Sequence, residues 1–569
     1  MTDQERPKQD RRVVMLVQND VEGDSRVQKE AASAAAAGFE VFLLGRSPDS
    51  HQREWDLGGA TVRLLPVTRG FARRPHELRP AWLRDPLAYP YGPLQPYRER
   101  QLRVRSAQLR LDGMQYGLDE PGLAPAARLR RRAGLRVRGA LLRANENWVR
   151  LRAEHTVRLR LRRRQMISRL DRFTTWLSGL LPGGPGWRRF DPALWDLELA
   201  FGRAVHDLEP DLIHANDFQM LGVGARAKLR AAAEGREVRL VWDAHEYLPG
   251  MKPWNAHPRW HPAQLAHERE FAASADAVVT VSAALGDLLQ DRHRLAEPPA
   301  VVMNAPGAAA ADGAAPAPSL RAACGIGPDV PLMVYSGAAA PQRGLDLMVT
   351  ALRSLPDVHS AFVVANPEAP YIRQLLERAG RLGVAERVHA VPYVPHTQVV
   401  PFLSEADVGV IPLRRYLNHE IALITKFFEY SHARLPVVVS DVKAMAETVA
   451  ATGQGEVFAA DDAEGLAQAV KSVITAPEAY RSAYTADRLA EWSWEAQAAR
   501  LNGLYRRLLD EVPAVPSART GRAGASGRNA PHYQDLHRPR IHKALEEDDP
   551  SYSLTWFPML RRTCYDAVT

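Results

Sequence analysis

Lys426 and Glu429 stand three residues apart in the segment Asn418-His419-Glu420-Ile421-Ala422-Leu423-Ile424-Thr425-Lys426-Phe427-Phe428-Glu429. The segment reads as a loop followed by a helix from Thr425 to about Ala433, and the run Pro436-Val437-Val438-Val439 reads as a buried strand. With Thr425 as the N-cap, Lys426 and the opening amides of the helix face the same point. That is a phosphate site, because a helix N-terminus carries partial positive charge and free N–H groups. Glu429, one turn further on, is a carboxylate able to accept from a ribose diol. On spacing alone a plain surface pair between Lys426 and Glu429 stands level with this reading.

Other segments have the same character. Tyr335-Ser336-Gly337-Ala338-Ala339-Ala340-Pro341-Gln342-Arg343-Gly344 leaves a strand and enters a helix. Gly337 permits close backbone approach to a phosphate, and Arg343 can make charge-assisted bonds to it. Asn19-Asp20-Val21-Glu22-Gly23-Asp24-Ser25-Arg26 follows the first strand. Asp24 and Arg26 either cap the helix and meet solvent, or line a cleft. Trp242-Asp243-Ala244-His245-Glu246 ends another strand, where His245 can donate to a sugar hydroxyl or a phosphate or serve only the structure. His214 and Asp217 sit equivalently and rank lower.

The elements that must position these residues alternate. Val13–Val17 is a strand, Arg26–Ala37 a helix stopped by Gly38, and Val41–Gly45 a strand. This is the opening of a doubly wound parallel sheet. Further strands are expected at Leu212–His214, Arg239–Trp242, Ala277–Val281 and Val301–Met303. A second alternation gives Leu332–Tyr335, Ala361–Val364, Val388–Val391, Val408–Ile411 and Pro436–Val439. The expected organisation has a disordered lead over 1–11, a first Rossmann-like domain over 12–304 with an Arg/Pro-rich insertion at 68–190, and an Ala/Gly/Pro linker at 305–330. A second Rossmann-like domain follows over 331–485, then a helix at 486–511 crossing back to the first domain and a mostly disordered tail at 512–569. Ligands of open α/β sheets bind beyond the carboxyl ends of the strands, so two such domains place the ligand in the cleft between them.

Composition narrows the classes. A chain of 569 residues is too long for one ordinary domain, and 46% hydrophobic with 25% charged residues is a globular balance. No apolar run is long enough for a transmembrane helix. The polar start MTDQERPKQDRR lacks an apolar signal core, so a cytoplasmic location is expected. Cys324 and Cys564 make neither a disulfide framework nor a zinc site. The net charge of +8 points to an anionic partner.

The Lys426–Val438 segment, K-x-x-E-(Y/A)-x-x-x-x-x-P-V-V, resembles retaining glycosyltransferases of family 4, which have the GT-B fold. The D-S-R-V-x-x-E-A segment at Asp24 and the D-A-H-E segment at Asp243 are similar to the same family's first domain. The resemblance spans about 12–65, 195–305 and 330–510. It implies that Gly337, Arg343, Thr425 and Lys426 hold the donor diphosphate and that Glu429 holds the nucleotide ribose. It further implies that Asp24, Arg26 and His245 face the acceptor, with His245, Arg343 and Lys426 acting in catalysis. Many members carry a further glutamate on the donor sugar eight residues before the one matching Glu429. Here Ile421 holds that place, and the substitute is either Glu420, one residue out of register, or backbone groups. Ala338 departs from a second basic position. No cofactor and no metal is implied.

Within the insertion, Leu159, Met166, Leu170, Phe173 and Leu177 recur on one helical face among Arg162, Arg163, Arg164, Arg169 and Arg172. With Trp148 and Trp176, the stretch 140–181 reads as an interfacial helix on an anionic membrane, level with a helical subdomain whose arginine stems snorkel. Nucleic acid ranks third, since no nucleic-acid motif appears.

The function expected is retaining transfer of a sugar from a nucleotide-sugar to a glycan or lipid-linked acceptor, in cell-envelope polysaccharide or glycolipid synthesis, at the inner membrane face. A nucleotide-sugar epimerase of the same fold and a non-catalytic basic scaffold are the alternatives.

Overall fold

The computed structural model describes residues 11–68, 70, 86–90, 93–165, 172–173, 175–177, 186–251, 257–307 and 317–510. The expected lead, apart from Arg11, and the expected tail lie outside the described residues. The chain divides into two units. One comprises residues 1–67, 199–252 and 268–569, and the other 68–198 with 253–267.

The first unit holds two sheets. One runs in the order β3-β4-β2-β1-β5-β6-β7-β8. Its strands are β1 Arg12–Leu16, β2 Glu40–Arg46, β3 Arg53–Leu57, β4 Ala60–Leu65, β5 Leu212–Asn216, β6 Arg239–Ala244, β7 Ala277–Thr280 and β8 Ala300–Val301. All pair in parallel except β3, which pairs antiparallel with β4. β3 and β4 were not expected from the sequence. Their turn is Gly58-Gly59, with φ of +59° and +88°, the two consecutive positive values that a tight two-residue hairpin requires.

The other sheet is wholly parallel, β11-β10-β9-β12-β13-β14. Its strands are β9 Leu332–Ser336, β10 His359–Val364, β11 Val388–Pro392, β12 Val408–Ile411, β13 Val437–Ser440 and β14 Gly455–Phe458. The central strands are continuous apolar runs because both faces of a parallel sheet are covered. Val408, Val410 and Ile411 are fully buried on β12.

Two expectations need correction here. The stretch 305–330 is not all linker. Leu320–Cys324 is a helix, capped by the Ser319 side chain accepting from the Ala322 amide, and Leu320 and Cys324 enter the second sheet's core. The insertion extends beyond 190, since its unit runs to Glu198 and takes in 253–267 as well.

The helix Trp494–Asp510 packs Trp494, Leu501, Tyr505 and Leu508 into the core of the first sheet beside Val13, Met15 and Ala31.

In each doubly wound sheet the strand order reverses once, and ligands favour the strand ends at that switch point. In the first sheet it lies between β1 and β5, in the second between β9 and β12. Asp24, Asp217 and His245 follow β1, β5 and β6, and Gly337 and Arg343 follow β9.

The second unit contains a helical hairpin. Leu94–Asp119 and Pro125–Gln165 are joined by a 3-10 turn, Glu120–Gly122. Ser106 donates to Glu146 at 2.6 Å, Arg138 to Asp112 at 2.6 Å and Arg131 to Asp119 at 3.0 Å. As one partner advances the other recedes, so the helices are antiparallel. Tyr89 takes part too, its amide on the Thr156 hydroxyl and its ring under Arg152.

Candidate functional site

The helix Ser25–Ala36 buries Arg26, Val27, Glu30, Ala31 and Ala34, a single stripe of helical spacing. Arg26 therefore points inward with the apolar residues. Its guanidinium holds Asp243 through three bonds of 2.9–3.1 Å, pairs with Glu30 at 2.9 Å and donates to the Val302 carbonyl at 2.8 Å. It is 1% exposed. The expectation that Arg26 faces the acceptor is corrected, because every side-chain donor direction used is committed inside the domain.

Burial pushes the Glu30 carboxyl well up, against the pull of Arg26 and with Asp243 beside it. Burial acts upward on Asp243 too, but Arg26 and His245 override it and hold Asp243 well below the usual carboxylate range. Glu30, His214 and Asp243 offer ligand-type atoms within 4.8 Å of one another. The guanidinium of Arg26 stands against both carboxyls, so the fixed cation of that group is the arginine.

His245 lies next along. Its Nδ1 is 3.2 Å from Asp217 and its Nε2 2.9 Å from Asp243. Burial would lower its pKa, but the two carboxylates raise it well above the ordinary value. The carboxylates beside both nitrogens favour the protonated ring. Asp217 opens a helix with φ of +62°, a strained strand-to-helix junction that aims its carboxylate at the ring. Asp24 caps the helix Ser25–Ala36, accepting from Val27, and receives the Asn19 amide at 2.7 Å. Burial raises its pKa, against the pull of His245.

The second sheet contributes cations. Thr425–His432 is a helix, with Ile424 and not Thr425 at the cap position. Thr425 is its first residue, and its hydroxyl accepts from Asn304 at 3.0 Å. Lys426 is buried, with Nζ 4.8 Å from the centre of the Tyr335 ring. Gly337 (φ +126°) makes this possible, since a Cβ there would come within 2.9 Å of that Nζ. Arg343 is 2% exposed. Gly344 behind it (φ +71°) passes the Pro412 carbonyl where no Cβ fits. Burial and the charge of Arg343 lower Lys426 to about 7, against the opposing pull of Glu429. Burial raises Glu429, opposed by Lys426 and Lys29. The structure thus brings Gly337, Arg343, Lys426 and Glu429 into one electrostatic neighbourhood.

Glu420 does not join it. One carboxylate oxygen is 3.3 Å from Arg415, and the other accepts the Lys443 amide at 2.7 Å, at the start of the helix Lys443–Thr452. This corrects the expectation that Glu420 replaces the missing glutamate. One residue out of register, it is turned to the neighbouring helix. Ile421 is 8% exposed, and its carbonyl accepts from Ser282 at 2.5 Å.

Sequence reasoning missed three groups. The ammonium of Lys29 donates to Asn304 at 2.9 Å and to the Ala305 carbonyl at 2.6 Å and lies 4.8 Å from the Trp494 ring centre. Burial and Arg26 lower it to about 8, with Glu429 opposing. His419 places Nδ1 2.7 Å from the Arg414 carbonyl, so Nδ1 carries the proton and Nε2 is an acceptor. Burial, Arg343 and Lys426 push it down to about 4. Glu246 is the third. The signal for it was adjacency to His245.

Residues 318–489 match the family model described as "Glycosyl transferases group 1", and residues 145–305 match that of "Glycosyltransferase Family 4". The GDP-mannose-dependent alpha-(1-6)-phosphatidylinositol monomannoside mannosyltransferase of Mycolicibacterium smegmatis is 28% identical over 310 residues, 51% of this chain and 77% of that one. D-inositol 3-phosphate glycosyltransferase 2 of Catenulispora acidiphila is 27% identical over 207 residues, 34% of this chain and 47% of that one. This chain therefore spans about half the length of the second relative. Among solved structures, sucrose-phosphate synthase from Thermosynechococcus elongatus aligns with a TM-score of 0.57 at 16% identity, covering 88% of this chain and 100% of that one. HepE of Anabaena, in complex with UDP and glucose, aligns with a TM-score of 0.52 at 14% identity, over 88% of this chain and 100% of that one. At such identities these structures speak for the fold. With two doubly wound sheets, two matching family models and these relatives in hand, the chain belongs to the family 4-like glycosyltransferases and is built on the GT-B fold.

Proposed function

We propose that the second sheet binds a nucleotide-sugar and that the sugar passes to a glycan or lipid-linked acceptor held at the strand ends of the first. The observation that carries the donor site is the buried meeting of Lys426 and Arg343 under Gly337. Two cations crowd one place, and burial beside Arg343 brings Lys426 down to about 7. A diphosphate relieves that strain and is itself held by charge-assisted bonds. Glu429 takes the ribose. The cations then stabilise the leaving diphosphate as the glycosidic bond breaks, which is electrostatic stabilisation of developing charge. Retention is read as front-side attack with the leaving phosphate as base. His245 and Asp24 lie where the acceptor would sit. His245, raised by the carboxylates of Asp243 and Asp217, supplies positive charge there.

The mannosyltransferase relative is named as GDP-mannose-dependent and the Anabaena structure holds UDP. Both support a nucleotide donor without choosing between them. Calorimetry against UDP, GDP and ADP tests the reading. One nucleotide binds, and Glu429→Ala weakens it about 10- to 100-fold, the loss expected for a hydrogen bond to a charged group. Unchanged affinity in that variant removes Glu429 from the site.

An acceptor presented by a membrane, as in cell-envelope synthesis, is supported by the helical hairpin. Residues 94–165 carry nineteen arginines, no lysine and six acidic residues, a net +13 against +8 for the whole chain. Both helices leave apolar side chains in solvent: Val104, Leu111, Met114 and Leu118 on the first, Val137, Leu141, Trp148 and Leu151 on the second. Apolar groups ringed by arginine suit the interface of an anionic bilayer. Of the 140–181 helix expected from the sequence, the portion to Gln165 is helical, and Phe173, Trp176 and Leu177 are exposed. Met166, Arg169 and Leu170 lie outside the described residues. Among the described residues no helix is long and apolar enough to cross a membrane.

A further inference from the structure

The donor site lacks one kind of group. Arg343, Lys426 and the opening of the helix Thr425–His432 suit phosphate, and Glu429 suits ribose. A sugar hydroxyl next to the diphosphate needs a carboxyl or a neutral acceptor. The segment before the helix does not supply a carboxyl, since Glu420 is turned to Arg415 and Lys443 and Ile421 is apolar.

Glu246 is the carboxyl that remains. It follows His245 directly, at the end of β6. Its Oε2 is shut off from solvent and has no hydrogen-bond partner. Leaving a buried carboxyl oxygen unpaired forfeits its hydration without return, so its partner is to be sought in a ligand. Charged groups reach it from each side: Asp217 after β5, His245 on its own segment, and Arg343 after β9. The same segment lies against the donor side: four residues on, a Cβ on Gly250 would come within 2.8 Å of the Leu417 side chain, in the stretch that leads to the helix Thr425–His432.

We propose that Glu246 grips the donor's sugar, hydrogen-bonding a sugar hydroxyl where the diphosphate ends. This rests on the donor-site reading above. The electrostatics suit it. Burial and Asp217 push Glu246 up to about 8, against His245 and Arg343. At neutral pH the group is a carboxylic acid, able to donate to one sugar oxygen and accept from another. An acid there also adds no negative charge to a place that must receive a diphosphate. His419, neutral and with Nε2 as an acceptor, is affected by the same Arg343 and by Lys426, and so lies on the donor side of that place.

The test compares a nucleotide with its sugar. Binding of GDP and GDP-mannose, and of UDP and UDP-glucose, is measured by calorimetry on the wild-type protein, Glu246→Ala and Glu246→Gln. For whichever pair binds, Glu246→Ala leaves the diphosphate affinity within about twofold and lowers the nucleotide-sugar affinity about tenfold or more. Glu246→Gln, which mimics the protonated acid, keeps most of the sugar contribution at pH 7. The affinity for the nucleotide alone falls with pH through Lys426 in both proteins, but Glu246→Gln abolishes the additional fall above about pH 8 that the wild-type protein shows only with the nucleotide-sugar. Equal losses for nucleotide and nucleotide-sugar in Glu246→Ala mean a structural role and overturn the proposal, as does no loss in either. A wild-type protein that binds none of the four, and neither ADP nor its sugar, overturns the donor site itself, and this proposal with it. A wild-type protein that binds a nucleotide but whose sugar contribution ignores Glu246 overturns this proposal alone.

Discussion

Arg26 and Asp243, 217 residues apart in sequence, are joined by hydrogen bonds from Nε and Nη2 at 2.9–3.1 Å, and neither is more than 1% exposed. The pair ties the first helix to the strand end that carries His245, so the same contact that closes the core also sets the site. Asp243→Asn leaves Arg26 buried without its counter-charge. Removing one partner of a buried pair costs about 3–5 kcal/mol. Asp243 is depressed in the folded state, so its contribution is present above the ordinary carboxylate value of about 4 and fades as pH falls below it. Urea unfolding of both proteins should show the full difference at pH 7 and at pH 6. A difference under about 1 kcal/mol at pH 7 would mean the pair is not the tie described.

Lys426 reports the diphosphate through protons. In the free protein it sits at about 7, lowered by burial and Arg343. An arriving diphosphate restores its affinity for a proton, so nucleotide binding at pH 7.5 is accompanied by net uptake. The number taken up falls towards zero by pH 5.5, where Lys426 is already charged. Calorimetry in buffers of different ionisation heat measures this directly. In Lys426→Met the uptake is lost. Buffer-independent heats in the wild-type protein at pH 7.5 would sink the assignment.

The hairpin prediction concerns surfaces. Co-sedimentation with phosphatidylglycerol vesicles should be strong at low salt and largely gone at high salt, because surface charges are screened. Leu111→Glu with Leu118→Glu and Leu141→Glu replaces exposed side chains and should cut vesicle binding roughly tenfold or more while leaving nucleotide affinity unchanged, since burial of each apolar side chain in the interface is lost. Equal binding to neutral phosphatidylcholine vesicles would argue against the electrostatic attraction.

The sheets were legible because parallel strands are written as unbroken apolar runs. Val437-Val438-Val439 and Leu332-Met333-Val334 could hardly be anything else. β3 and β4 escaped because an edge hairpin alternates polar and apolar residues, as in Arg53-Glu54-Trp55-Asp56-Leu57, and its turn signal is only Gly58-Gly59. Lys426 and Glu429 were legible through spacing. The side to which a charge turns was not. Arg26 looked like a cleft residue, but Val27, Ala31 and Ala34 fix the helix rotation that buries it. Glu420 looked like a substitute, but its oxygens are settled by Arg415 and the Lys443 amide, which lie beyond the reach of local sequence. His245 was singled out by its place after a strand, but the carboxyls that flank its ring, Asp217 after β5 and Asp243 on β6, come together only in the assembled sheet.

The helix Trp494–Asp510 supplies one wall of the first sheet's core, and Tyr505 lies 2.6 Å from His214 within it. That domain begins at residue 12 but is sealed by residues near 505. On the ribosome the second sheet, spanning 332–458, has all its strands in hand while the first still exposes an apolar flank. The domain made first is thus completed last, and it waits through nearly the whole of synthesis with that flank open to chaperones or to misassembly.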